Sequence, residues 1–331
     1  MSLGLCGLKQ MIQKWIQGRG RLVPAVRRSI RTLEGTSRPR PYTQECSHVQ
    51  DANGSVGRPP LRRYCRYMAK ISLAIAVVCL NHFGQWCEPD TPLSMTVTLF
   101  VPCFVDLMFP RVGISMVQIL ERLGHKVECP EEIACCGQPA YNSGYWDEAR
   151  AVALKVLERL QNSEAVVIGS GSCGAMLHVF YPELFTGTSH EAEAKALAKR
   201  CFEFSDFLVT KLGVSDLGAR FPAKVTFHDG CHGLRELGAY SQPRHLLAHV
   251  KGLELVEMAE KVCCGFGGTF AAKFPMISTA MGEVKCSLAA TTGAEYIVSN
   301  DSSCLMHIQG ILSRQGGQMK TIHLAEVLSS S

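Results

Sequence analysis

The chain has 331 residues, of which 47% are hydrophobic and 19% charged, with a formal net charge of +5 and 16 cysteines. The positive charge lies in residues 1–94, which hold fourteen Lys and Arg against five Asp and Glu, whereas residues 95–331 have an acidic excess. The net charge therefore does not indicate a nucleic-acid partner for the main part of the chain. The apolar run 71–80 is too short to span a bilayer, so no membrane span is predicted.

Residues 1–94 show no hydrophobic periodicity that would indicate a packed domain. Pro, Gly and Arg are scattered through this segment, and its five cysteines have no recurring spacing. We expect a disordered basic extension or a misassigned start, because Met95 stands directly before the first clear strand pattern. A transit peptide or a basic arm remains an alternative.

Residues 95–331 repeat one succession of elements twice. The predicted elements of the first copy are a strand at 96–101, a helix at 112–123, a strand at 126–129, a helix at 145–160 and a strand at 165–169. Those of the second copy are at 224–227, 243–250, 253–258, 275–291 and 295–299. This order predicts an α/β fold of two tandem Rossmann-like βαβαβ repeats with parallel sheets. The first repeat and a helical connector (183–219) form domain 95–219, and the second repeat forms domain 220–331.

Each copy also carries four cysteines in the same order. A lone cysteine precedes a Cys-Cys-Gly turn by 32 positions, and a further cysteine follows later. The candidate ligands are Cys103, Cys135, Cys136 and Cys173 in the first set, and Cys231, Cys263, Cys264 and Cys304 in the second. Every one of them follows a predicted strand, and the carboxyl ends of parallel strands meet at one sheet edge. Each set is therefore expected to converge into one metal site.

Adjacent cysteines favour an iron–sulfur cluster over a single zinc ion. Zinc sites usually take thiolates from knuckles such as C-x2-C, whereas neighbouring thiolates can bind different irons of a cluster. The glycines after the pairs, Gly137 and Gly265, would let the backbone pass close to an inorganic core. Disulfides are disfavoured because the eleven cysteines after position 94 accompany no export signal, which predicts a reducing, cytoplasmic location.

The other cysteines, and the polar residues near these turns, are weaker candidates for metal ligands. Three further cysteines are assigned to packing, namely Cys129, Cys201 and Cys286. Three histidines border the ligand loops: His228, His232 and His307. They are either structural, or replace a thiolate ligand, or donate to cluster sulfur. Asp229 and Gly230 are expected to shape the turn before Cys231. The run GFGG (265–268) does not complete a dinucleotide-binding motif, so no flavin or nicotinamide site is predicted.

Six separated blocks follow one another along residues 95–331: FVPCFVDLMFPRVG (100–113), ACCGQPAYNSGY (134–145), GSGSCGAM (169–176), HDGCHGLRELG (228–238), CCGFGGTFAAKFPMIS (263–278) and DSSCLMHIQG (301–310). These blocks resemble the lactate utilisation protein A family, which is related to the glycolate oxidase iron–sulfur subunit and to the cysteine-rich subunit of heterodisulfide reductase. The resemblance implies a cytoplasmic iron–sulfur subunit that transfers electrons in L-lactate oxidation to pyruvate. It also implies companion iron–sulfur and accessory subunits as partners.

The chain departs from the heterodisulfide reductase relatives at one position in each copy. Where those relatives have CxxC, this chain has Ser170 before Cys173 and Asp301 before Cys304. Each set thus has four thiolates, which suffice for one 4Fe–4S cluster per repeat. The missing fifth thiols count against a thiol–disulfide reductase, which remains an alternative together with a redox-silent metal-binding scaffold.

Overall fold

The computed structural model describes residues 94–130 and 135–331, and within them two successive lobes share one architecture. The expectations for residues 1–93 lie outside the described residues. The first lobe contains β1 (Thr96–Phe100), α1 (Cys103–Met108), α2 (Pro110–Arg122), β2 (Lys126–Glu128), α3 (Gln138–Asn142), α4 (Trp146–Leu160), β3 (Ala165–Ile168), α5 (Gly171–Ala175), a π-helical turn (Met176–Phe180), α6 (Tyr181–Leu184), α7 (Glu191–Ala198), β4 (Cys201–Glu203), α8 (Phe204–Asp206) and a second π-helical turn (Phe207–Lys211).

The second lobe repeats this plan with fewer helices after its third strand. It contains β5 (Lys224–Phe227), α9 (Cys231–Arg235), α10 (Ser241–Ala248), β6 (Glu254–Leu255), α11 (Thr269–Lys273), α12 (Pro275–Ala290), β7 (Tyr296–Ser299), α13 (Ser302–Arg314), β8 (Lys320–His323) and α14 (Leu324–Leu328). Among the described residues, no helix combines the length and the apolar character needed to cross a membrane.

Both sheets are parallel and have the same strand order, β2-β1-β3-β4 in the first lobe and β6-β5-β7-β8 in the second. The central strands β1 and β3 pair from Val97 with Ala165 to Phe100 with Ile168, and the side chains of all four residues are buried. Such apolar runs are typical of parallel strands covered by helices on both faces. The predicted α/β fold with two parallel repeats is confirmed.

The fourth strand of each sheet was not predicted. β4 begins at Cys201, inside the segment that the sequence assigned to a helical connector, and β8 has the mixed sequence Lys-Thr-Ile-His. Both strands are short and lie at a sheet edge, so their apolar periodicity is too weak to distinguish them from loops. The connector of 183–219 is consequently an alternation of helices, a strand and a loop.

Each lobe extends its last element over the other lobe. After β8, α14 packs on α2, where Ser329 Oγ donates to Ser115 Oγ at 2.9 Å and Arg122 donates to the Leu328 carbonyl at 3.4 Å. After β4, α8 packs on α10, and Asn300 Nδ2 donates to Ser205 Oγ at 3.2 Å. We call these two contacts, of α14 with α2 and of α8 with α10, the reciprocal clasp. The clasp places the carboxyl edges of the two sheets against each other.

We expect His323 to make the stability of the clasp depend on pH. Its Nδ1 accepts from Ala325 N at 3.1 Å and caps α14, and burial lowers its pKa to about 4. Because an unfolded histidine titrates near 6.5, the unfolded chain binds more protons between pH 6.5 and 4, so stability falls as the pH is lowered through this range. Between pH 7 and pH 5 the group should cost about 2 kcal/mol.

The matched variant is His323→Asn, which keeps a capping side chain but does not titrate. Urea unfolding of both proteins at pH 7 and pH 5 should show a smaller loss of unfolding free energy for the variant. Equal losses would mean that His323 is not the titrating group.

Candidate metal centre

The first and last cysteines of each set flank the point where the strand order reverses. Cys103 is the first residue of α1 and follows β1, while Cys173 lies in α5 after β3, its neighbour in the sheet. Cys231 and Cys304 occupy the corresponding positions in α9 and α13. Crevices at such switch points are the usual ligand sites of open parallel sheets. Each lone cysteine follows a strand and is the first residue of a short helix.

The four sulfurs of the first set lie in contact. The Cys136 thiol donates to Cys173 Sγ at 3.3 Å, and Cys135 is hydrogen-bonded to both Cys103 and Cys136. Tyr181 fixes the turn by donating its hydroxyl to the Cys136 carbonyl at 2.9 Å, and Gln138 Nε2 donates to the Ser172 carbonyl at 3.0 Å. Neither Tyr181 nor Gln138 was singled out from the sequence, because their roles depend on contacts between distant segments.

The second set has the same connections and one additional donor. Cys263 is hydrogen-bonded to Cys231 and Cys264, and Cys264 is hydrogen-bonded to Cys304. A ring nitrogen of His228 and the sulfurs of Cys264 and Cys304 all lie within 4.8 Å of one another. The structure thus brings together the cysteines that the sequence grouped, set by set.

Contact between the thiols makes their ionisation unequal. The pKa of Cys135 is lowered by its hydrogen bonds with Cys103 and Cys136. The pKa of Cys136 is raised by its hydrogen bonds with Cys135 and Cys173 and by burial. The pKa of Cys263 is lowered and that of Cys264 raised for the same reasons. Four adjacent thiolates repel one another unless a cation lies among them. The donor chemistry therefore fits a metal group.

The structure gives a second reason for the glycine after each pair. Gly137 and Gly265 have φ angles of 85° and 90°, in the left-handed region that favours glycine. A Cβ at Gly265 would lie 2.5 Å from the Ser278 carbonyl oxygen, and one at Gly137 would lie 3.3 Å from that of Ala149. The glycines therefore let the turn pack against the following long helix.

The residues that replace the fifth thiols are helix caps. Ser170 Oγ accepts from Cys173 N at 3.4 Å, and Asp301 accepts from Ser303 N at 3.3 Å and from its hydroxyl at 2.7 Å. Ser and Asp are preferred at the N-cap because their oxygens satisfy exposed backbone amides. These positions hold the last cysteine of each set in place.

The histidines beside the ligand loops have different surroundings. His307 Nε2 lies 3.4 Å from Ser278 Oγ, and His232 Nδ1 lies 3.3 Å from Glu236 Oε2. His228 is buried, and within the described part of the chain neither of its ring nitrogens has a hydrogen-bond partner. Burial lowers its pKa to about 3, and the charge of Lys285 adds to this effect.

Asp229 anchors the turn before Cys231 to a neighbouring helix. Arg244 donates to its two carboxylate oxygens, each at 2.9 Å, and also binds Glu257 at 2.6 Å. The guanidinium lies 3.9 Å from the centre of the Tyr240 ring. Bidentate pairing and ring stacking together restrict an arginine strongly. Asp229 was expected to shape this turn, and Arg244 is the partner that the sequence did not reveal.

A buried lysine distinguishes the second set from the first. Lys285 in α12 is 1% exposed, and its Nζ lies 3.8 Å from Met258 Sδ. Burial lowers its pKa, which the charge of Cys264 opposes. Gly137 faces Ala149 in α4, and Gly265 faces Ser278 in α12, so these two helix positions correspond. Lys285 lies seven residues after Ser278, and the residue seven after Ala149 is Val156. At this position, within the described residues, the second set therefore has a lysine beside it where the first has a valine.

The cysteines assigned to packing include Cys201 and Cys286, which share buried apolar clusters with cysteines of the first and second set. Cys286 is buried in α12, with its sulfur 3.9 Å from the Ile308 carbonyl oxygen. Cys201 is buried at the start of β4, and Cys129 follows β2. Burial raises the pKa of Cys201 to about 12 and that of Cys129 to about 11.

Comparisons with known proteins match the two sets of cysteines. The CCG cysteine-rich domain family matches residues 97–178 and 225–309, and each stretch contains one complete set. The chain is 47% identical over 238 residues to "Lactate utilization protein A" of Bacillus subtilis, covering 71% of this chain and 100% of that protein. It is 45% identical over 238 residues to the protein of that name from Oceanobacillus iheyensis, covering 71% and 97%. A solved hypothetical protein from Helicobacter pylori is 14% identical, with a TM-score of 0.46 over 77% of this chain and 53% of that chain.

We expect Gly171→Ala to disturb both cysteine sets, because a Cβ at Gly171 would lie 2.9 Å from Gly233 Cα. The glycine precedes Cys173 by two residues, and Gly233 follows Cys231 by two. Overpacking at such a contact costs about 1–3 kcal/mol, so the melting temperature should fall by several degrees.

Gly233→Ala is the control, because its Cβ would lie at an ordinary 3.6 Å from Gly171 Cα. Thermal unfolding should show near-normal stability for this variant. If the two variants were equally stable, the close approach of the lobes would not be the restricting contact.

Proposed function

Because the chain belongs to the CCG cysteine-rich domain family, and within it to the lactate utilization protein A proteins, we propose that it is an iron–sulfur electron-transfer subunit of a cytoplasmic L-lactate oxidation system. The observation that carries the proposal is the pair of contacting four-sulfur sets at the facing edges of the two lobes. We assign one cluster of the 4Fe–4S type to each set. Domains 95–219 and 220–331 would each contribute one site.

The residues fit this assignment by their donor chemistry. Cys103, Cys135, Cys136 and Cys173 would hold the first cluster, and Cys231, Cys263, Cys264 and Cys304 the second. When bound, such clusters supply one-electron transfer. Lactate oxidation releases two electrons, so two sites in one chain suit a relay that accepts them one at a time. The buried nitrogens of His228, which lack partners among the described residues, also support a group at the second set.

The carboxyl edges of the two sheets face each other, which supports the passage of electrons between the two sites. The backbones of Gly171 and Gly233, next to Cys173 and Cys231, approach so closely that a Cβ on the former would clash. The ring of Phe104, next to Cys103, lies 5.8 Å from that of Phe266, two residues after Cys264. Each set therefore has a short through-protein route to the other.

An exposed apolar surface supports the proposed companion subunits. Large side chains at the starts of α4 and α12 face solvent, among them Trp146 at 56% and Met276 at 85% exposure. Ser143 Oγ lies 3.0 Å from Thr269 Oγ1, so the turn before α4 is a neighbour of the start of α11, the helix before α12. Exposed apolar patches of this kind mark protein–protein interfaces. The partners we propose are the iron–sulfur and accessory proteins of the same system.

Full-length protein prepared without oxygen should contain iron and acid-labile sulfide. Cys136→Ser should abolish the signal of the first cluster and keep the second, and Cys264→Ser should do the reverse, so that about half of the iron remains in each. Cys286→Ala is the control and should retain all of it. Iron and sulfide analysis with EPR measures these outcomes; zinc without sulfide, even after reconstitution, would contradict the proposal.

The isolated chain should not oxidise L-lactate measurably with artificial electron acceptors, because hydride chemistry normally resides on an organic cofactor. A complex with the companion proteins should be active and should lose activity with Cys136→Ser. Met276→Asp should keep its iron and weaken co-purification with the partners. Rapid turnover by the isolated chain would place catalysis in this subunit, and full activity of a complex carrying both Cys136→Ser and Cys264→Ser would favour a scaffold.

A further inference from the structure

His228 is held rigidly at the carboxyl edge of the second sheet. It follows β5 directly, and its backbone N–H donates to the Val298 carbonyl at 2.8 Å. Its own carbonyl accepts from Ser299 Oγ, also at 2.8 Å. The residue therefore lies at the switch point between β5 and β7, three positions before Cys231, with its ring 1% exposed.

The imidazole ring is buried without hydrogen bonds. Neither Nδ1 nor Nε2 has a partner within the described residues, although buried polar groups are normally paired. Leaving such an atom unpaired is unfavourable, because the lost hydrogen bonds to water are not replaced. One of its nitrogens and the sulfurs of Cys264 and Cys304 all lie within 4.8 Å of one another, and both cysteines are buried.

The other polar neighbours of the ring are already engaged. Asp301 accepts from Ser172 N at 2.9 Å and from Ser303 at 2.7 Å. Lys285 Nζ has Met258 Sδ as its contact at 3.8 Å. The sulfurs of Cys264 and Cys304 are the metal-binding donors that lie within 4.8 Å of a ring nitrogen.

We propose that His228 is a nitrogen ligand of the metal group held by the second cysteine set, beside Cys264 and Cys304. The inference rests on the proposed function, since it requires that set to bind a metal group. The first copy has Phe100 three positions before Cys103, so no histidine stands at the equivalent position of the first set. Replacement of thiolate by imidazole raises the reduction potential of an iron–sulfur centre, so the two sites differ in potential.

Pulsed EPR on anaerobically reconstituted full-length protein labelled with 15N-histidine tests the ligand directly. We expect a hyperfine coupling from a bound histidine nitrogen, which changes between unlabelled and labelled protein. The coupling should persist in Cys136→Ser, which keeps the second set, and disappear in His228→Ala. His307→Ala is the control from the same lobe and should keep it.

Protein that binds iron and sulfide but shows no histidine coupling, in wild type and in Cys136→Ser, would overturn the ligand assignment and leave the proposed function intact. Persistence of the coupling in His228→Ala would overturn it as well. Protein that binds neither iron nor sulfide would instead refute the proposed function. The labelled wild-type measurement decides the ligand assignment even if His228→Ala does not fold.

Discussion

One buried carboxylate joins the two lobes at the point where their cysteines meet. Asp301 is 4% exposed; one of its oxygens accepts from Ser172 N at 2.9 Å in the first lobe, and the other caps α13 in the second. A buried carboxylate is tolerated only when its oxygens are well paired. The position of each last cysteine, Cys173 and Cys304, therefore depends on the same side chain. Gly171 and Gly233 lie beside this carboxylate, and because they lack side chains the lobes approach closely enough for the bridge.

The two copies share a backbone plan but differ in the chemistry around their sulfurs. His228 and Lys285 of the second copy correspond to Phe100 and Val156 of the first. A buried ammonium stabilises additional negative charge nearby, because interactions between charges are strong where water is excluded. An electron on a metal group at the second set would thus be held more firmly than one at the first. The duplication supplies two cysteine sets, and these residue differences make the surroundings of the second set unlike those of the first.

Much of the fold follows from patterns that are local in sequence. The apolar runs 96–101 and 165–169 and the spacing of the cysteines predicted the parallel repeats and the membership of each set. Short edge strands were missed because three or four residues of mixed polarity carry little periodicity. Roles that depend on contacts between distant segments were also missed, such as the Asp301 bridge and the Arg244 pair with Asp229. The contact of the glycine in each Cys-Cys-Gly turn with the following long helix was likewise not predictable from the sequence.

The reciprocal clasp has a consequence for how the protein loses its structure. Since α14 completes the surface of the first lobe and α8 that of the second, opening either lobe exposes apolar area on both. The two lobes should therefore unfold in one cooperative transition, with little population of a half-folded species. Damage that opens one lobe would therefore disrupt both cysteine sets together.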